Sequence, residues 1–282
     1  MLKLFFYIIL KLYSMEIINE NPKSFTGIIV LKNKNIYSIA SSVFDKNEYP
    51  KLIDEIENNP NEHCVCSNDR FLTYEFENYK INVIKNATIT EINKCKNQKI
   101  KLINETYDDY LNKTLKYVNT IPKSNLQWIE NILNGTSEQE RVLYTNDKFK
   151  INIDSKSNTD LTKINGLVLY YDETLKSIRD LNEKHLELLK ETESQIYKIA
   201  KEKCGLNEDE IMIYVHYLPS FWRFHIHFMS IYSPMYVSVN TSIDKAIQLN
   251  NIIQNIEIKH DYYQTITLRF KVLENHVLYN QF

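Results

Sequence analysis

Apolar and polar residues alternate along much of the first hundred residues, a pattern typical of β-strands with one buried face. The alternation is clearest in Thr26–Leu31, Phe71–Phe76 and Tyr79–Ile84. A helical segment around Tyr49–Glu57 interrupts it. The pattern therefore predicts a strand-rich N-terminal region.

After Ile103 the apolar spacing changes to a helical period. A predicted helix over Asn104–Val118 would align apolar and aromatic residues on one face: Tyr107, Tyr110, Leu111, Leu115 and Val118. Pro122 then interrupts the pattern, and we place the domain boundary near it. The chain thus divides into an apolar extension, 1–14, an N-terminal domain, 15–120, and a C-terminal domain, 121–282.

The C-terminal domain mixes both periods. Ser124-x-x-Gln127 resembles a capping box and predicts a short helix that ends at Gly135, with Trp128 in its first turn. Three alternating stretches follow: Arg141–Tyr144, Phe149–Asp154 and Gly166–Tyr171.

A long amphipathic helix comes next, capped by Asn182 and ended by Gly205. It carries an inward stripe of Leu186, Leu189, Ile196 and Ile199. Thr241 or Ser242 is expected to cap a last helix through Ile256, and Tyr262–Val272 is predicted to form a closing strand. The predicted fold class is α+β, with a strand-rich N-terminal domain and an antiparallel sheet in the C-terminal domain.

One stretch, Ile211–Ser230, combines strand alternation with ionisable residues. Its two alternating runs flank a turn at Pro219-Ser220, so we predict a β-hairpin. Alternate side chains of a strand point to opposite faces. The expected core face is Trp222, Phe224, Ile226 and Phe228, and the opposite face is Arg223, His225 and His227, which His216 joins from the first strand.

Two histidines spaced as His225-x-His227 are compatible with three interpretations. They are structural histidines bonded to carbonyls, metal ligands with His216 as a third ligand, or a nucleophile directed at phosphate with its neighbours stabilising charge. Arg223 favours the third, because a fixed positive charge about 7 Å from His225 along the strand opposes a divalent cation and attracts phosphate.

Composition narrows the classes of protein. The chain has 282 residues, 43% hydrophobic and 25% charged, with a net charge of -2. Such a chain forms one or two domains with cores and has no overall electrostatic attraction to nucleic acid or membranes. Four cysteines are present, but His63-Cys64-x-Cys66 has no second pair at zinc spacing, so we expect reduced thiols and no metal or other cofactor.

Residues 1–14 form an apolar run that is too short to span a bilayer and lacks the small residues of a signal cleavage site. An over-long gene model that should begin at Met15 and a peripheral membrane anchor are the alternatives, and we favour the first.

The segment HYLPSFWRFHIHF resembles the catalytic hairpin of the scavenger mRNA-decapping enzymes (DcpS), a branch of the histidine-triad (HIT) hydrolases. NETYDDYLNKTLKYV, NLQWIENIL, TLKSIRDLNEKHLELL and DYYQTITLRFKV resemble other family segments in the same order. The resemblance covers nearly the whole chain after Met15 and is stronger from Asn104 onward. It implies a HIT-like C-terminal domain that cuts the residual mRNA cap, 7-methyl-GpppN, to 7-methyl-GMP and a nucleoside diphosphate.

The resemblance also implies roles for single residues. His225 matches the nucleophile that forms a phosphohistidine, and its inner N–H then needs a carbonyl acceptor. His227, His216, Ser220 and Arg223 would surround the phosphates. The residues implied in binding the base, the ribose or a phosphate are Trp128, Glu138, Asp154, Lys156, Asn68 and Lys94.

Three positions depart from the family pattern. Arg223 replaces the first histidine of the triad, Phe221 replaces a tyrosine, and Ser155 replaces an apolar residue that covers one face of the base. Two other functions stay open: a HIT hydrolase of other dinucleoside polyphosphates, and a cap-binding protein with weakened turnover.

The family forms homodimers in which the N-terminal domains are exchanged and close over the cap sites. The resemblance therefore implies a homodimer that acts on a capped dinucleotide or a short capped oligoribonucleotide, with no DNA or membrane partner. The expected location is the cytoplasm, and a nuclear pool in addition to it stays open.

Overall fold

The computed structural model describes residues 15–20, 28–41, 48–67, 70–96, 99–154, 160–233, 236 and 245–282. The chain divides into two compact units, Met1–Lys99 and Ile100–Phe282. Within the described ranges, no helix combines the length and the apolar character needed to cross a membrane.

The first unit is a six-stranded antiparallel sheet with two helices. Its strands are β1 (Met15–Glu20), β2 (Ile28–Lys32), β3 (Asn35–Ser41), β4 (Cys64–Ser67), β5 (Phe71–Glu75) and β6 (Tyr79–Ile84). Their spatial order is β1-β2-β3-β6-β5-β4. Helix α1 (Tyr49–Asn58) buries Ile53 and Ile56 against the alternating apolar face of the sheet, and α2 (Ile89–Cys95) follows β6. Strands β5 and β6 and helix α1 match the predicted Phe71–Phe76, Tyr79–Ile84 and Tyr49–Glu57 to within one residue. Strand β2 covers residues 28–31 of the predicted Thr26–Leu31, whose first two residues lie outside the described ranges.

The second unit begins with β7 (Ile100–Glu105), which pairs with β14 (Leu268–Leu273) near the C-terminus. This pairing places the start of the second unit at Ile100, whereas the sequence pattern placed the domain boundary at 120/121. Sequence spacing could not show the pairing of β7 with β14, because the two strands lie more than 160 residues apart in the chain.

The predicted helix over Asn104–Val118 is shorter and less regular than expected. It runs as α3 (Tyr107–Asp109), a π-helical segment (Tyr110–Thr114) and α4 (Leu115–Val118), while Asn104 belongs to β7. The wider π turn rotates the following residues relative to a regular helix. As a result Leu111, predicted to face inward, is 39% exposed, whereas Tyr110 is buried.

Six strands form the main antiparallel sheet of this unit: β8 (Val142–Thr145), β9 (Phe149–Ile153), β10 (Asn165–Tyr170), β11 (Ile211–His216), β12 (His225–Ser230) and β13 (Ala246–Gln248). Their order is β13-β11-β12-β10-β9-β8. Helix α5 (Gln127–Leu133) precedes the sheet in the chain. Helix α6 (Leu186–Cys204) follows β10, α7 (Leu249–Ile258) follows β13, and α8 (Tyr262–Thr265) follows α7.

One face of this sheet is the core. It packs Ile151, Val168, Ile226 and Phe228 against the apolar stripes of α6 and α7. A Cβ on Gly166 would lie 2.1 Å from Cζ of the Phe228 ring on the adjacent strand, so only glycine fits there. The predicted core face of the second hairpin strand is therefore confirmed.

Several predicted boundaries are corrected. Ser124 lies inside a 3-10 turn (Lys123–Leu126), and α5 has no side-chain cap, so the predicted capping box does not form. Asn182 caps the 3-10 turn Glu183–His185 that leads into α6. Thr241 and Ser242 lie outside the described residues, and α7 begins only at Leu249, because residues 246–248 pair with β11 as β13. The predicted closing strand is split: α8 comes first and β14 second.

Candidate active site

The second face of the main sheet carries polar side chains in register. Leu167 pairs with His227 on β12 and with Asn152 on β9, and His227 in turn pairs with Tyr214 on β11. The adjacent row joins Lys150, Leu169 and His225. The strand register thus brings residues from four strands onto one surface.

Helix α5 lies against this surface and positions Trp128. Its apolar residues Ile129, Ile132 and Leu133 cluster with Leu169 of β10. Nζ of the buried Lys150 donates to the carbonyl oxygens of Ile132 and Leu133, at 2.8 and 3.1 Å. These bonds satisfy carbonyls that a helix end leaves without intrahelical partners.

His225 is held in one tautomer. Its Nδ1 lies 2.8 Å from the carbonyl oxygen of Arg223. A carbonyl only accepts hydrogen bonds, so Nδ1 carries the proton and Nε2 keeps its lone pair. Burial lowers the pKa of His225 to about 4, assisted by the Lys245 charge and opposed by the bond to the Arg223 backbone. The ring is therefore neutral near pH 7, as a nucleophile requires.

His216 and His227 complete a cluster of three imidazoles. Ring centroids are 4.6 Å apart for His216 and His227 and 4.9 Å apart for His225 and His227. Burial, together with the charge of Lys245, lowers the pKa of His216 to about 3. Among the described residues, Nδ1 of His216 has no hydrogen-bond partner, although it is buried.

A cavity of about 340 Å³ opens beside this cluster. Its lining includes seven of the residues predicted from the sequence: Trp128, Glu138, Asp154, His216, Ser220, His225 and His227. The volume lies within the range of ordinary small-molecule sites. The structure thus assembles most of the predicted site around one space.

A series of aromatic contacts links Trp128, the predicted base-stacking residue, to His225, the predicted nucleophile. Trp128, 38% exposed, meets Phe221 edge to face at 4.9 Å, and Phe221 stacks on the His225 ring at 4.0 Å. Phe221 therefore contacts both the predicted stacking residue and the predicted nucleophile. The position that departs from the family tyrosine is a packing contact in this protein.

Glu138 adopts a left-handed backbone conformation, with φ of 52°. Residues other than glycine adopt this conformation at a cost of about 1 kcal/mol, and such strain is concentrated at functional sites. The turn delivers the Glu138 carboxylate to the cavity lining. This observation agrees with a ligand-binding role.

Arg223 occupies a different place from the one predicted. It precedes β12, its side chain is 3% exposed, and its Nη2 pairs with Oε1 of Glu130 on α5. The pattern placed the guanidinium on the face of His225 and His227, whereas it does not contribute to the lining of the cavity.

Three predicted binding residues are not located. Asn68 and Lys156 lie outside the described residues, as does Ser155. Lys94 belongs to α2, whose backbone is described without that side chain.

Sequence reasoning missed three residues. Lys245 and the buried Asn152 line the cavity, and Oδ1 of Asn152 has no hydrogen-bond partner among the described residues. Glu130 pairs with Arg223. Alternation on Phe149–Asp154 did place Asn152 opposite the core, but nothing in the sequence distinguishes Lys245 from the many other lysines.

The described side chains also bear on the metal interpretation. Across these ranges, no group of three or more His, Cys, Asp or Glu side chains is arranged to hold a metal ion. Metal-independent chemistry stays a prediction.

Comparison with known proteins gives the same family from two directions. Residues 127–242 match a family model described as "Scavenger mRNA decapping enzyme C-term binding". The m7GpppX diphosphatase of Ascaris suum is 31% identical over 264 residues, covering 90% of this chain and 83% of the relative. The human m7GpppX diphosphatase is 30% identical, covering 72% of this chain and 63% of the relative.

The Caenorhabditis elegans m7GpppX diphosphatase is 29% identical and covers 91% of this chain and 82% of the relative. Among solved structures, Hnt3 in complex with DNA and guanosine superposes with a TM-score of 0.32 over 48% of this chain and 79% of that chain, at 14% identity. That likeness is too weak to support an inference.

Proposed function

Because the chain belongs to the m7GpppX diphosphatase family, we propose that its cavity hydrolyses the residual mRNA cap through His225. The substrate is 7-methyl-GpppN, and the products are 7-methyl-GMP and a nucleoside diphosphate. The observation that carries the proposal is the bond from Nδ1 of His225 to the Arg223 carbonyl, which leaves Nε2 with its lone pair in a cavity lined by two further histidines.

In the first step, Nε2 of His225 attacks the phosphorus next to 7-methylguanosine. A P–N bond forms, the bond from that phosphorus to the bridging oxygen breaks, and the nucleoside diphosphate leaves with the electron pair. The phosphorylated ring carries a positive charge, which the Arg223 carbonyl stabilises through Nδ1–H. Water then attacks phosphorus, the P–N bond breaks, and 7-methyl-GMP and a proton are released.

The other cavity residues stabilise charge on the phosphates. His216, His227 and Ser220 lie around the cavity, and Lys245 adds a fixed positive charge whose influence reaches the His216 and His225 rings. A nucleoside diphosphate is a good leaving group, so positioning and charge stabilisation suffice for the chemistry.

The base-binding side suits a methylated guanine. Methylation at N7 makes the ring cationic, and a cation over an indole such as Trp128 gains about 1–2 kcal/mol. The carboxylates of Glu138 and Asp154 accept hydrogen bonds from the base edge and the ribose. Asn152 offers a buried carbonyl oxygen in the same cavity.

We further propose that the protein is a homodimer with exchanged N-terminal domains, as the family resemblance implies. In that arrangement Asn68 and Lys94 contribute from the N-terminal domain. Light scattering at micromolar concentration tests the assembly, and a mass near the 33.6 kDa of one chain would contradict it.

Hydrolysis of 7-methyl-GpppG and of unmethylated GpppG, each with and without EDTA, tests the function. We expect 7-methyl-GMP and GDP as products, a strong preference for the methylated cap, and no effect of EDTA. Equal rates on the two substrates would favour a general dinucleoside polyphosphate hydrolase. Tight cap binding without products would favour a cap-binding protein that has lost turnover.

A further inference from the structure

The Arg223 side chain is anchored to the helix that carries Trp128. Its guanidinium pairs with Glu130, a residue of α5, while Arg223 is 3% exposed and Glu130 is 32% exposed. Within the part of the chain that the structure describes, Nε of Arg223 is buried and has no hydrogen-bond partner. The contact with Glu130 is therefore the main attachment of this side chain.

The peptide group that follows Arg223 is fixed on both sides. Its C=O lies 2.8 Å from Nδ1 of His225, and its N–H, on Phe224, donates to the carbonyl of Leu175 at 2.8 Å. Phe224 itself is buried in the core. The orientation of this peptide group decides whether Nδ1–H of His225 can donate to the Arg223 carbonyl. It therefore also decides which ring nitrogen keeps the lone pair.

The charge of Arg223 makes a small contribution to the pKa of one carboxylate, Asp172, which does not line the cavity. The pKa of Asp172 is lowered first by its hydrogen bond to Thr174 and also by the Arg223 charge. The Lys245 charge, by contrast, is the one that lowers the pKa of both His216 and His225. Lys245 thus influences the histidines of the cavity, whereas the effect of Arg223 is on Asp172.

Building on the proposed function, we propose that Glu130 and Arg223 are a positioning pair. Glu130 anchors the Arg223 side chain, and this contact keeps the Arg223 backbone carbonyl at hydrogen-bond distance from Nδ1 of His225. Arg223 then acts through its carbonyl and its anchor. It stands where the family resemblance expects the first histidine of the triad, and Glu130 supplies the partner that an arginine needs at this buried position. The same pair couples the helix bearing Trp128 to the nucleophile.

A Glu130→Gln variant of the full-length chain tests the pair, because glutamine keeps the shape and removes the charge. At pH 7, ¹⁵N NMR of the ligand-free wild type should show His225 as the single Nδ1–H tautomer. In Glu130→Gln we expect a mixture of tautomers, kcat lower by about tenfold and KM changed by less than about threefold.

Glu191→Gln is the matched control. Glu191 pairs with Lys148, is 38% exposed in its side chain, and does not line the cavity. We expect its His225 tautomer and its kcat to match the wild type. Glu130→Asp keeps the charge at a shorter reach, so it should retain more activity than Glu130→Gln, and it replaces that variant if Glu130→Gln does not fold.

The double variant Glu130→Gln, Arg223→Gln separates positioning from direct phosphate binding. If Arg223 acts through Glu130, the double variant loses no more kcat than Arg223→Gln alone. Losses that multiply, or an unchanged His225 tautomer in Glu130→Gln, would overturn the positioning pair. The tautomer readout needs no substrate, so a wild type that fails to cleave caps would contradict the proposed function without touching this test.

Discussion

Two arginine–glutamate pairs in the second unit, each with a buried arginine, differ in how completely their hydrogen bonds are made. Arg179 and Glu105 are both fully buried, and all five N–H groups of Arg179 donate, to Glu105 and to the carbonyls of Tyr263 and Ile266. Glu105 also accepts from Tyr217 at 2.5 Å and from Thr114. In the second pair, Nε of Arg223 has no hydrogen-bond partner within the described ranges, and Glu130 is partly exposed.

The difference suits a structural role for Arg179 with Glu105 and a role near the candidate site for Arg223 with Glu130. The fully hydrogen-bonded pair, Arg179 with Glu105 (the saturated pair), joins β7, the π-helical segment, the end of α8 and Tyr217. Tyr217 follows His216, so this pair supports the hairpin that carries the histidines. In the second pair, Arg223 with Glu130 (the unsaturated pair), Arg223 lies two residues before the predicted nucleophile in the chain. Among the described residues, Nε of Arg223, Nδ1 of His216 and Oδ1 of Asn152 are buried without a hydrogen-bond partner. Buried polar atoms without partners are costly and are retained where they serve function.

The largest expected effect is on stability, at the saturated pair. Arg179→Ala leaves the Glu105 carboxylate buried without its counter-charge, which should reduce the free energy of unfolding by about 3–5 kcal/mol. Urea denaturation measures it. Arg179→Met, which fills the space, still leaves that carboxylate alone and should rescue little. A loss below about 1 kcal/mol in Arg179→Ala would mean that the pair is not a structural support.

The next effect is on catalysis, at the unsaturated pair. Arg223→Ala should lower kcat/KM, with a loss of transition-state stabilisation of about 2 kcal/mol or more. It should destabilise the fold less than Arg179→Ala does. Arg223→His restores the residue expected from the family and should keep measurable activity. Steady-state kinetics measures the change in kcat/KM, and urea denaturation measures the change in stability. An Arg223→Ala enzyme as fast as wild type would show that arginine at this position has no role in activity.

A smaller effect belongs to the rim of the cavity. Trp128→Ala should weaken cap binding by about 1–2 kcal/mol through the lost cation–π contact and leave kcat much less affected. Titration of a non-hydrolysable cap analogue gives the affinity. Unchanged binding together with a large loss of kcat would remove Trp128 from the base pocket and assign it to the packing of Phe221.

The smallest effect concerns pH. His225 is bonded to a carbonyl rather than to a carboxylate, and burial lowers its pKa to about 4. Its reactive neutral form is therefore present down to about pH 5, and kcat/KM should change by less than about twofold between pH 7 and pH 5. A pH profile that loses activity with a midpoint near 6.5 would show a solvated histidine instead.

The same burial makes the fold sensitive to acid. The unfolded chain binds a proton at His225 and at His216 below about pH 6.5, whereas the folded chain excludes it until about pH 4 and about pH 3. Stability therefore falls as the pH drops from about 6.5 towards these values.

Much of this architecture could be predicted from local pattern. Alternation indicated β2, β5 and β6 of the first sheet and β8 to β12 of the second, because each sheet has one apolar face. It also separated Phe224, Ile226 and Phe228 from the histidines. The need for a carbonyl acceptor at His225 followed from the nucleophile role that the family resemblance implies. What failed was mostly of longer range or finer geometry.

The π turn at 110–114 changes the helical period locally, so a regular period misplaces Leu111. The contact between Glu130 and Arg223 joins residues 93 apart in sequence, and β13, which brings Lys245 to the cavity, is only three residues long. Such features depend on tertiary packing that no short window of sequence contains.

The central claim is that His225 itself attacks the cap. Rapid quenching during turnover of 7-methyl-GpppG, in the presence of EDTA and under conditions that preserve phosphohistidine, followed by peptide mass analysis, tests it most directly. We expect a 7-methyl-GMP adduct on the peptide that contains His225, and His225→Asn should form no adduct and no product while still binding the cap. Turnover without an adduct, abolished by EDTA and restored by zinc, would contradict the account.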